Sequence, residues 1–301
     1  MTTVKRAYFQ MHLAILLWGF TGIFGRAIDM SEGMIVWYRM LFSAIGLIPV
    51  LITYKIKLPP AKETGRILFT GAIVCVHWIL FYASIKASNV SIALSCFSSV
   101  SLFTALLDPL SKRKKPKLAE IVLGLLVILG LYIIFSVQKI YLNGIILAVL
   151  SAFLGALFTV LNKSLTDHHK AEVITFYELS SGFLIFTLLM PLYLYFTDTQ
   201  FEIPDSTNTI YLLILSLVCT SFAFTISLKA LKKLDAFTLN LAVNLEPLYS
   251  ILLAFILFNE YEILNTGFFI GTGIILSSIA AHSWYKWKFE KKHDNTRQPL
   301  P

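Results

Sequence analysis

Apolar residues occur along this chain in blocks of about twenty, each closed by a short interval of charged residues, glycine or proline. Each block is apolar nearly all round rather than along one stripe, which predicts buried or lipid-facing helices. A helix of about twenty residues spans a hydrocarbon core of about 30 Å. Ten such blocks are read from the sequence: residues 10–28, 34–54, 67–87, 90–110, 118–136, 143–162, 173–196, 209–231, 236–258 and 264–284. Little chain is left between them for a soluble domain. The expectation is an all-α membrane protein with ten transmembrane helices.

Composition agrees with the pattern: 57% of residues are hydrophobic and only 14% are charged, with a mean hydropathy of +0.75. The net charge of +8 would suit a nucleic-acid binder, and residues 112–117 (KRKKPK) carry five basic side chains in six positions. Inside a membrane protein such a run orients the chain, because Lys and Arg gather in short cytoplasmic loops and meet anionic headgroups there. With both termini in the cytoplasm, every basic residue except Arg26, Arg39, Lys86 and Lys139 falls inside, while Asp29, Glu32, Asp198, Glu202, Asp205, Glu260 and Glu262 fall outside. The predicted location is therefore multi-pass in the plasma (inner) membrane. Membrane lipids are partners and nucleic acid is not. The first block is read as a span rather than a cleaved leader, although Gly25-Arg26-Ala27 loosely imitates a cleavage site. Cys75, Cys96 and Cys219 lie within spans and form no disulfide framework.

An internal repeat sharpens the expectation. Residues 84–107 (SIKASNVSIALSCFSSVSLFTALL) align with 230–253 (ALKKLDAFTLNLAVNLEPLYSILL) at an offset of 146, and Trp37-Tyr38-Arg39 aligns with Phe176-Tyr177-Glu178 at an offset of 139. The predicted units are residues 1–137, residues 138–287 and a cytoplasmic tail, 288–301. Five helices per unit would invert the second unit relative to the first. The basic Lys112-Arg113-Lys114-Lys115 in one unit then meets Phe258-Asn259-Glu260-Tyr261 in the other.

Leu17-Trp18-Gly19, Arg39 early in the second block and the stretch Leu231–Pro247 followed by Asn259-Glu260 resemble the EamA-type transporters of the drug/metabolite transporter superfamily, over roughly residues 10–285. The resemblance implies movement of a small metabolite, often an amino acid or related compound and often outward. It also implies alternating access between inverted repeats. The first unit departs from the pattern, with Val100-Ser101 where the second has Glu246-Pro247. A lipid or head-group flippase, or a channel-like facilitator, on the same scaffold is the alternative. A homodimer is compatible with either.

Ionisable groups inside apolar blocks mark candidate sites, because a charge at the bilayer centre costs about 2.5–3.5 kcal/mol on insertion scales. Glu246 is the deepest carboxylate, and Pro247 beside it frees a backbone carbonyl. Arg39 offers a planar fork for a carboxylate, with snorkelling to the surface as the competing reading. Trp18, His77, Trp78, Tyr82, Ser98, Asn244 and Tyr249 complete the expected substrate-binding set. Glu178, near one end of its block, joins Glu246 and Pro247 as a candidate for gating or coupling, a shallow gating or structural role and substrate contact both being open to it. Asn240 is read as a bridge between helices, Asp108 and Lys112 as a local ion pair, and Gly22, Gly25, Gly267 and Gly271 as close helix contacts. No phosphate loop, H-E-x-x-H or G-x-S-x-G pattern occurs, so neither an enzyme nor a cofactor or metal site is expected. The single deep carboxylate favours a facilitator or exchanger over proton coupling.

Orientation is directly testable in a cysteine-free background. A cysteine placed between Gln200 and Ser206 should react with an impermeant maleimide on intact cells, and Lys115→Cys should react only after permeabilisation. Labelling of Lys115→Cys on intact cells would reverse the assignment.

Overall fold

The structure, a computed structural model, describes residues 3–53, 59–88, 90–135, 141–249, 253 and 266–295. Within them all regular structure is helical, as lipid requires, because only an internally bonded backbone satisfies its N–H and C=O groups in hydrocarbon. The helices are α1 (Thr3–Ala27), α2 (Glu32–Thr53), α3 (Ala61–Ala87), α4 (Val90–Phe97), α5 (Val100–Ser111), α6 (Leu118–Phe135), α7 (Leu142–Thr166), α8 (Ala171–Thr197), α9 (Ser206–Ser216), α10 (Ala223–Leu231), α11 (Ala236–Val243) and α12 (Thr266–Asn295), with a π-helical turn, Leu217–Phe222, joining α9 to α10.

The expected ten spans in two inverted five-helix units are not what the structure holds. Among the described residues six helices are long and apolar enough to cross a membrane: Thr3–Gly25, Glu32–Thr53, Ala61–Ala87, Leu142–Thr166, Ala171–Thr197 and Ser206–Leu231. The expected fourth span breaks at Ser98-Ser99 into α4 and α5. The fifth yields a shorter apolar helix, and the ninth stops as α11 at Val243. Around Ser98 the serines turn hydroxyls onto nearby carbonyls, Ser99 Oγ to Cys96 O at 2.7 Å and Ser101 Oγ to Ser98 O at 3.1 Å. Such local bonds compete with the helical ladder. Asn259-Glu260, Glu262, Lys139 and Lys55 lie outside the described residues.

α3 sits at the middle of the bundle, packed on α7 and α8, while α2 packs on α8, α1 on α10 and α6 on α12. Glycines set these distances. A Cβ on Gly71 of α3 would strike the Glu178 backbone carbonyl and Ser181 Oγ of α8, and one on Gly271 of α12 would strike the Gly130 carbonyl of α6. Small residues allow this close backbone approach. Gly25 also packs closely, its Cβ position lying 2.9 Å from Tyr82 Cε1, but nothing lies within 4 Å of a Cβ at Gly22, so that residue is not a close contact. Large apolar side chains such as Leu184 and Leu188 point away from the bundle.

The two ends differ in charge. At one end Glu63 pairs with His169 at 2.7 Å, Lys229 with Glu172 at 2.7 Å, Lys112 with Asp108 at 2.7 Å, and Lys163 Nζ donates to Leu231 O at 2.9 Å. The expected Asp108–Lys112 pair is thus present. At the other, Lys86 pairs with Glu32 at 3.0 Å and the Glu202 carboxylate accepts from Ser31 N at 3.0 Å.

Forcing a methyl between α3 and α8 should cost about 1–3 kcal/mol, the usual penalty for overpacking. Gly71→Ala should therefore lower the Tm of the purified protein in detergent, while Gly22→Ala should not. Equal Tm values for the two variants would mean the helices can part without loss.

Candidate functional site

A cavity lies in the bundle, with Arg39, Glu246, His77 and Asn162 all on its wall. Its remaining surface is largely aromatic, from Trp18, Trp78, Phe81, Phe97, Phe158 and Phe224. These rings form a continuous chain: Phe81 meets Phe97 with centroids 5.3 Å apart, His77 lies 5.4 Å from both Phe97 and Phe158, and Phe224 is 6.1 Å from Phe158 and 6.5 Å from Trp78. Gly155 leaves room in this wall, since a Cβ there would already be 3.4 Å from His77 Cε1 and from Phe97 Cε2.

Arg39 is only 5% exposed, which rules out snorkelling in this structure. Its Nε donates to Thr220 Oγ1 at 2.6 Å, its Nη1 donates to Tyr82 OH at 3.1 Å, and its guanidinium carbon lies 4.0 Å from the centre of the Trp78 ring. The Thr220 position depends on the π-helical turn. Thr220 Oγ1 in turn donates to the Leu215 carbonyl at 2.8 Å, and Ser43 and Ser221 exchange bonds between α2 and the same turn, Ser43 Oγ to Ser216 O at 2.9 Å and Ser221 Oγ to Ser43 O at 3.0 Å. Single π turns inside α-helices often sit at functional sites. A guanidinium has five N–H groups, so these bonds leave part of the fork for the cavity.

Glu246 reaches the cavity because the backbone breaks just before it. α11 ends with three-residue bonds, Asn244 N to Leu241 O at 3.3 Å and Leu245 N to Ala242 O at 2.9 Å. One further turn then carries Glu246 and Pro247. Glu246 and Arg39 both line the cavity, yet no ion pair within 4 Å joins them. The two face the same cavity unpaired to each other. His77 Nδ1 lies 2.9 Å from both the Ser151 carbonyl oxygen and Ser151 Oγ, and Ser151 Oγ donates to His77 O at 3.0 Å. With Nδ1 held by Ser151, Nε2 is the ring nitrogen left for other partners.

Of the expected site residues, Arg39, Trp18, His77, Trp78 and Glu246 line the cavity, and Tyr82 stands behind Arg39. Pro247 adjoins the break. Three residues lie off the cavity wall. Asn244 donates to the Asn240 and Leu241 carbonyls, both at 3.1 Å, and closes its own helix. Ser98 occupies the α4–α5 break, and Tyr249 OH meets His12 Nδ1 at 3.5 Å. Asn240 lines the cavity instead, fixed by donation to Thr104 Oγ1 at 2.7 Å. Glu178 is fully buried and receives Asn162 Nδ2 at 3.3 Å. Asn162, Thr21, Thr220, Gly155 and Phe158 were not anticipated from sequence. Asn162 and the Thr220-Ser221 pair, polar residues inside apolar blocks, carried the only available signal.

The model of the EamA-like transporter family matches residues 5–136 and again residues 142–284. Two proteins of Archaeoglobus fulgidus, each described as an uncharacterized transporter, are similar to this chain. One is 28% identical over 171 residues, covering 55% of this chain and 62% of the relative, so the match spans less than two thirds of that protein. The other is 25% identical over 288 residues, covering 91% of this chain and 95% of the relative. A solved crystal structure matches with a TM-score of 0.75 and 15% identity, over 91% of this chain and 96% of that one, a likeness of fold alone. With the family model covering nearly all of the sequence, the chain belongs to the EamA-like transporter family and is a multi-pass membrane transporter.

Proposed function

We propose that the protein carries a small metabolite with a carboxylate group, an amino acid or related compound, outward across the plasma (inner) membrane by alternating access. The observation that carries this reading is the pinned Arg39 fork sharing an aromatic cavity with Glu246, the two charges being unpaired to each other. A zwitterion placed between them would set its carboxylate on the guanidinium and its ammonium on Glu246. Arg39 suits the first task because its planar donors match a carboxylate in two parallel bonds. The aromatic wall gives the rest of the ligand an apolar surface and excludes water, which strengthens both charge contacts. The basic end of the bundle, with Lys112, Lys163 and Lys229, is assigned to the cytoplasm together with both termini, and the end bearing Glu32 and Glu202 to the outside.

Flux of labelled amino acids through purified protein in sealed vesicles tests the reading, and saturable flux separates it from an open pathway or from lipid translocation. Arg39→Lys keeps the charge but loses the fork, and should reduce flux at limiting substrate by about tenfold, equivalent to about 1.4 kcal/mol. Wild-type flux in Arg39→Ala would remove the guanidinium from the site. Gly155→Leu should abolish flux by filling the cavity next to His77 and Phe97, and normal flux in that variant would place the path elsewhere.

A further inference from the structure

Glu178 is the one carboxyl group in the described bundle that is 0% exposed, and it has no cation beside it. Its Oε2 accepts from Asn162 Nδ2 at 3.3 Å, while its Oε1 has no partner. Asn162 is also 0% exposed, and its Oδ1 likewise lacks a partner. Both orphaned atoms are acceptors, so the pair lacks a hydrogen. The helices around Glu178 supply no charge to replace it. On α3, Glu63 is paired with His169 and Arg66 reaches Ser164 at 3.4 Å. Further along α3, Cys75 carries a buried thiol and His77 is bound to Ser151. On α7, Lys163 is held by Leu231 O and Asp167. On α10, Lys229 is paired with Glu172 of α8 itself. On α2, Arg39 is held by Thr220 and Tyr82. A metal ion fits poorly, because one carboxyl and one amide offer too few oxygens against the about six to eight that calcium takes.

We propose that Glu178 is a proton-binding site and that Asn162 relays its state to the cavity. Asn162 suits this role because it lines the cavity and bonds Glu178 at once. With the carboxylate ionised, the Asn162 amide donates Nδ2 to it, and the group left over is the amide oxygen, an acceptor. When the carboxylate takes a proton from water to become the acid, its new O–H donates, and a half-turn of the amide brings Oδ1 round to receive that bond. The group left over is then the NH2, a donor. The turn exchanges the Nδ2–H···Oε2 hydrogen bond for the new O–H···Oδ1 one, no other covalent bond forms or breaks, and the proton returns to water when the acid ionises again. An acceptor repels a substrate carboxylate and a donor attracts it, so proton and anionic substrate bind together. By linkage each raises the affinity for the other. The coupling rests on the reading of the cavity as the substrate site; the proton site does not.

Infrared difference spectra between acid and alkaline buffer, recorded on the purified full-length protein in lipid without substrate, read the site directly. A Glu246→Gln background removes the cavity's own carboxyl. The carboxylic-acid C=O band should vanish on adding Glu178→Gln and move on adding Glu178→Asp. It should shift to higher frequency on adding Asn162→Ala, which deletes the hydrogen-bonding partner. A spectrum unchanged by Glu178→Gln and by Glu178→Asp would overturn the proton site, and a band unmoved by Asn162→Ala would overturn the relay. Failure of the substrate reading would show differently, as normal amino-acid flux in Arg39→Ala with the infrared band intact.

Discussion

A guanidinium inside an apolar bundle must be bonded on several sides, and the arrangement around Arg39 meets that demand with parts of three segments. α2 supplies the arginine, α3 supplies Trp78 and Tyr82, and the π-helical turn supplies Thr220. A charge in hydrocarbon is costly, so each partner offsets part of the same penalty and none is free to move independently. The serine exchange between Ser43 and the π turn holds the second contact line between those segments. What would be a liability in a lone helix thus fixes one wall of the cavity.

Another part of the wall is made by interruption rather than by attachment. α11 stops at Val243, and the break delivers Glu246 to the cavity while Asn244 caps the helix behind it. Polar groups along the rest of the wall are mostly spent on protein partners, as with Asn240 on Thr104 and His77 Nδ1 on Ser151. The groups left for a ligand are therefore few: the remaining Arg39 donors, the Glu246 carboxyl, the second nitrogen of His77 and the free end of the Asn162 amide. A small number of placed polar groups in an aromatic pocket is how small-molecule sites obtain orientation along with affinity.

Membership of a transporter family assigns the broad activity, while the distribution of unpaired atoms points to the chemistry within it. Arg39 and Glu246 share one compartment, and Glu178 with Asn162 forms a second polar locus against its wall. Separation of the two loci matters physically. A group that takes up a proton can bias binding without being displaced by the ligand, provided a side chain such as Asn162 touches both.

The sequence by itself determined the solvent: a chain built almost wholly of apolar blocks of about twenty residues is a membrane protein, and a basic run such as KRKKPK between them suits a headgroup surface. It also made Arg39, Trp18, His77, Trp78 and Glu246 legible as candidates, because aromatic and ionisable residues stand out against an apolar background. Tertiary structure decided the rest. Hydropathy does not register a broken ladder, so apolar blocks that read as spans became the short helices α4, α5 and α11, and among the described residues six helices qualify as crossings where ten were expected. Helical spacing put Asn240 and Asn244 on one face, but the helix ends between them and turns the second onto its own carbonyls. Distance from the end of a block left Glu178 open between a shallow role and substrate contact, and did not register how completely it is enclosed. Its burial is set by α3, which Gly71 lets lie directly against it, and no property of α8 alone records that approach.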